Sequence, residues 1–192
     1  MTTRRHVLTW EVPAGDATGW ETAWVESSGS ALHAHGRAFG LRPDPYWLTY
    51  ELETGPEWVT RTMRVTVEAE HAVRRLELTR DEDGVWSADG EPLTGLGEAL
   101  DCDLGLCPLT NTMPVLRHRL HERPGDRSLV TAWISVPDLV VRASRQHYTH
   151  LGEWPGRSRV RFASGTFRSD VTFDRDGFVV DYPQLARRVS AA

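Results

Sequence analysis

Asp101 and Asp103 are the residues of this chain best placed to do chemistry. They stand two apart in DCDLGLCPLTNTMPVLR (101–117), beside both cysteines and a Thr110-Asn111-Thr112 run. In a strand they share a face, with Cα atoms roughly 6.5 Å apart. Such a pair could hold sugar hydroxyls, join a metal site or divide acid–base work. It could equally accept backbone N–H groups from the loop and the helix start. The spacing favours the structural role, because a glycosidase needs its carboxyls on opposite sides of the scissile bond.

Other chemistries find less support. His33 and His35 share a strand face, and His118/His121 and His147/His150 are each three apart. Each pair lacks a nearby third ligand, so no metal site is expected. Cys102 and Cys107 are the only cysteines. Five residues apart on a strand, they point to opposite faces, so they should be reduced and unlinked. There is no nucleophile elbow, P-loop or Rossmann glycine pattern.

The elements that must position these residues read as strands. RHVLTWEV alternates, and WETAWVE follows after Pro-Ala-Gly-Asp (13–16). Further strands are expected at 31–41, 46–53, 58–70 and 72–80. Asp83-Gly84 and Asp89-Gly90 bracket VWSA as hairpin turns. After the motif come SLVTAWISVP, DLVVRASRQHYTHL, RSRVRFAS, TFRSDVTFD and FVVDY. Thr110, Asn111 and Thr112 are good helix caps, and Pro114 suits a first helical turn. A second short helix, QLARRV, is expected after Pro183. Many short antiparallel strands with tight turns indicate a single β-rich barrel, roll or sandwich over residues 1–192.

Composition narrows the partners. A net charge of −5 argues against general nucleic-acid binding. All 22 basic residues are arginine, and 8 tryptophans supply core or pocket rings. Neither a signal-type apolar region at the N-terminus nor an apolar run of ~18 residues is found, so a soluble, cytoplasmic protein is expected.

Three ordered motifs resemble the bacterial putative glycolipid-binding family. They are Trp-x-Thr-Arg in EWVTRTMRV (57–65), Asp-x-Asp-Leu followed by Pro-x-Thr-Asn-Thr-x-Pro (101–114), and Asp-Gly leading to Asp-Tyr-Pro near the end. The resemblance implies a mostly β spiral roll, a long antiparallel sheet wrapped around a single central α-helix. It also implies a binder of a glycolipid or other amphiphile, and the lack of a catalytic or cofactor motif leads to the expectation of a non-enzymatic role without a cofactor. The chain departs from the family pattern at Cys107 and at Gln184-Leu185-Ala186.

On that reading the ligand-binding candidates are Arg61, Asp101, Asp103, Asn111, Arg117, Tyr148 and Tyr182. Arg61 has a further role. Alternation in WVTRTMRVTV aims it inward with Val59, Met63 and Val65, where a lone guanidinium must be paired. It is therefore expected to latch onto Asp101 or Asp103, with Thr110, Asn111 and Pro114 starting the helix. The alternatives are a hydrolase or isomerase using Asp101 and Asp103 with a histidine, and an interaction module without a small ligand.

Overall fold

The computed structural model describes residues 2–12, 19–42 and 44–189. The Pro-Ala-Gly-Asp stretch at 13–16 lies outside them. Alternation drives strand formation, most plainly at YWLTYELET, where every second residue from Tyr46 to Thr54 is buried and the others are exposed. The first strands are β1 (Arg4–Val12), β2 (Gly19–Ser28), β3 (Ala31–Gly40), β4 (Tyr46–Thr54), β5 (Thr60–Ala69), β6 (Ala72–Arg80), β7 (Trp86–Ala88) and β8 (Glu91–Pro92). After β9 (Asp101–Leu104) comes the helix α1 (Thr112–His118). Then follow β10 (Asp126–Ile134), β11 (Val141–Trp154), β12 (Arg157–Ser164), β13 (Phe167–Asp174), β14 (Val179–Tyr182) and β15 (Ala186–Arg188).

All fifteen strands form one sheet, in the order β8 down to β1, then β15 down to β9. The sheet is open, and it curls until β9 meets β5. The Thr60 N–H donates to Leu100 O at 2.9 Å, and the Cys102 N–H donates to Thr60 Oγ1 at 3.0 Å. Neighbouring strands are antiparallel except β9 and β10, which run parallel. A parallel pair cannot be joined by a hairpin and needs a crossover. Residues 105–125 supply it and carry α1 into the roll, where Thr112, Met113, Pro114 and Val115 are all buried.

Three expectations are corrected. The residues after Pro183 form a strand, not a helix. Gln184 adopts φ 72°, the Leu185 N–H closes a turn on Tyr182 O at 2.9 Å, and β15 then fills the gap between β1 and β14. Pairing with the free edge of β1 outweighs the helix propensity of Leu, Ala and Arg. Arg61 is exposed, not inward. Thr54 pairs with Thr60 but Glu53 pairs with Thr62, so Arg61 is the extra residue of a β-bulge. One inserted residue reverses the phase: Thr60 is inward before it, and Met63, Val65 and Val67 after it. The helix begins at Thr112, between Thr110 and Pro114 as expected, but without the side-chain cap. A 3-10 turn at Pro108–Asn111 runs into α1, and Asn111 makes no side-chain capping bond. Pro114 does sit in the first turn.

Candidate functional site

The crossover and the inner face of β9 to β14 assemble a polar network beside an apolar cavity. Asp101 and Asp103 lie on one face of β9, opposite Thr131 and Trp133 of β10. Cys102 and Leu104, on the other face, are fully buried.

Asp101 is held by Arg117 of α1. Arg117 Nη1 donates to Oδ2 at 2.7 Å and Nη2 to Oδ1 at 2.5 Å, a bidentate pair with side-chain exposures of 8% and 2%. Two further donors are also used, Nε on Glu57 O at 2.8 Å and Nη2 on Trp58 O at 3.1 Å. Glu57 and Trp58 both have positive φ, in the 3-10 turn Pro56–Trp58. The turn thus presents two carbonyls to the guanidinium. A latch to Asp101 therefore exists, but its cation is Arg117. Arg61 makes no ion pair among the described residues and lines a separate polar groove with Glu53, Arg80 and Asp81. Burial raises the Asp101 pKa, and Arg117 opposes the shift.

Asp103 is half-buried and accepts two neutral donors. Thr110 Oγ1 donates to Oδ1 at 3.0 Å and Gln146 Nε2 to Oδ2 at 2.5 Å. Burial raises its pKa, the two hydrogen bonds oppose that, and the charge of Asp101 adds to it. Thr110 also donates to Cys107 O at 2.9 Å. From Asp103 a directed chain runs inward: Asn111 Nδ2 donates to Tyr148 OH at 3.0 Å, which donates to Gln146 Oε1 at 3.1 Å. Thr110 and Asn111 thus hold this network together and do not cap the helix.

A cavity of about 560 Å³ opens onto this network. Its apolar walls are Leu104, Leu106, Trp133, Phe162, Phe167 and Leu185, and Asp103, Asn111, Gln146 and Tyr182 supply polar atoms. Tyr182 and Phe162 are in edge-to-face contact, centroids 6.0 Å apart. A second pocket of about 420 Å³, bordered by Asp101 and Arg117, shares Gln146 and Ser164 with the first. Of the sequence candidates, Asp101, Asp103, Asn111, Arg117 and Tyr182 line these two spaces. Tyr148 stands behind them as a buried support, and Arg61 is elsewhere.

Gln146 and Glu21 were not among the sequence candidates. Gln146 and Tyr148 are the inward residues of their stretch of β11, and Arg145 is exposed. Ala143, on the same face as Arg145, is also exposed where β11 borders the cavity. Glu21 left a clearer signal, since it shares the inward face of β2 with Ala23 and Val25. It is 1% exposed and accepts from Tyr50 OH at 2.7 Å and Cys107 Sγ at 3.1 Å. Burial raises its pKa to about 7, and those two bonds hold the rise in check. Cys102 and Cys107 are separate free thiols. Burial pushes the Cys102 pKa up to about 12 and raises that of Cys107 well above the ordinary thiol range.

The histidines do not converge. His33 and His35 are exposed, and His35 stacks on Trp24. Among the described residues no group of three His, Cys, Asp or Glu could hold a metal ion, and no helix is long and apolar enough to cross a membrane.

Comparison with known proteins agrees with this architecture. A crystal structure of a DUF1089 family protein from Pseudomonas aeruginosa superposes with a TM-score of 0.74 at 32% identity, covering 89% of this chain and 92% of that one. No curated protein matches the chain. The model of the family described as "Putative glycolipid-binding" matches residues 7–188, and the chain belongs to that family.

Proposed function

We propose that this single domain is a non-enzymatic binder of an amphiphile, a glycolipid or a molecule of similar build, held in the cavity between β9 and β14. The observation that carries the reading is the lining: an apolar wall of Trp133, Phe162, Phe167 and Leu185 facing a few fixed polar groups. Small-molecule sites have this make-up and span roughly 300–1,000 Å³. The walls suit a hydrocarbon chain. Asp103 and Asn111 are held in place by Thr110, Gln146 and Tyr148, so they can meet hydroxyl groups without first becoming ordered.

The carboxylate pair supports this reading over acid–base chemistry. Asp101 is committed to Arg117 on both oxygens, which leaves Asp103 alone at the cavity. A thermal-shift panel of glycolipids and fatty acids tests the proposal. Stabilisation by one class is expected, and Phe167→Asp, which puts a charge on the apolar wall, should remove it. A panel in which no amphiphile stabilises the protein would reject the proposal.

A further inference from the structure

The cavity is bordered by one cation, the exposed Arg142, that has no hydrogen-bond or ion-pair partner among the described residues. Arg142 faces Trp133 across β10 and β11, and both line the apolar cavity. The guanidinium carbon lies 5.2 Å from the Trp133 ring centroid. A cation over the ring is attracted by its negative face, and the contact uses none of the guanidinium N–H groups. Among the described residues no carboxylate or carbonyl accepts from Arg142. The only other charged residue of the lining is Asp103, already engaged by Thr110 and Gln146.

Ser144, two residues along the same strand face, has its hydroxyl 3.2 Å from that of Ser164, which donates to Arg145 O at 3.2 Å, so both hydroxyl protons are engaged within the protein and Arg142 is the free charged donor of the lining. Because the chain as a whole carries a charge of −5, general electrostatics repels an anion. An unpaired arginine set over the Trp133 ring is a local reversal of that field. We infer that the cavity takes an amphiphile with an anionic head group, carboxylate or phosphate, bound by Arg142, its chain lying against Trp133, Phe162 and Phe167. This rests on the amphiphile reading above and specifies its ligand class.

Calorimetric titration with dodecanoate, dodecyl phosphate and dodecyl maltoside, each below its micellar concentration, tests the inference. The anions should bind at least about tenfold more tightly than the maltoside. Binding of only one of them identifies the head group as carboxylate or phosphate. Arg142→Gln should bring the anions down to the level of the maltoside. Arg145→Gln, on the opposite face of the same strand, should leave the preference intact. Equal or tighter binding of the maltoside, or a preference that survives Arg142→Gln, overturns the anionic head group and leaves the amphiphile reading standing. Absence of binding by all three removes both.

Discussion

At the scale of single residues, the site is governed by what burial does to charge. Arg117 and Asp101 survive inside the protein because both carboxylate oxygens accept and the guanidinium makes four hydrogen bonds. Arg117→Ala leaves a buried carboxylate alone and should cost about 3–5 kcal/mol in urea unfolding, whereas exposed Arg61→Ala should cost well under ~1 kcal/mol. Equal losses would show that the latch is not where the structure places it. Glu21 is the opposite case, a buried acid with one oxygen, Oε2, lacking a partner. Its folded pKa of about 7 lies above its ordinary value of 4.5. Between those values the folded chain keeps a proton that the unfolded chain has lost, so stability falls as pH rises through the window and then levels off. The loss is on the order of 3 kcal/mol. Glu21→Gln should flatten that part of the stability–pH curve. A parallel decline in both proteins would reject Glu21 as its source.

At the scale of elements, hydrophobic alternation made the long strands legible, because each has one buried face. Three things defeated it. A bulge is a single inserted residue and leaves no mark in composition, so the phase at Arg61 read backwards. The strand β15 is fixed by the neighbours it joins and not by its own residues. The third is the site itself: Asp101 and Asp103 stood out as polar residues in an apolar stretch, but their partners Arg117 and Gln146 come from a helix and from a strand distant in sequence. Element packing also explains Gly36. It lies directly opposite Tyr50, whose ring fills the space a side chain would need and thereby reaches Glu21. Gly36→Ala should destabilise by about 1–3 kcal/mol through overpacking. Gly97→Ala, with nothing within 4 Å of its added carbon, should be close to neutral. Comparable melting points for the two variants would contradict the close approach of Tyr50 and β3.

At the scale of the whole molecule, one sheet carries everything. The two halves of the chain meet at β1 and β15, and again where β9 reaches β5, so one half cannot unfold without opening the core of the other. Far-ultraviolet circular dichroism and tryptophan fluorescence should therefore trace one coincident urea transition. Two separated transitions would indicate two units. The same curl leaves the cavity between the crossover and the inner face of β10 to β14, walled by rings and floored by the Asp103 network. That an amphiphile occupies it is the central claim. A crystal structure of the protein grown with dodecyl phosphate tests it most directly. Continuous chain density against Phe162, Phe167 and Leu185, with the head group beside Arg142, is the predicted result. A cavity filled by ordered water at saturating ligand, or a chain bound elsewhere on the roll, would contradict it.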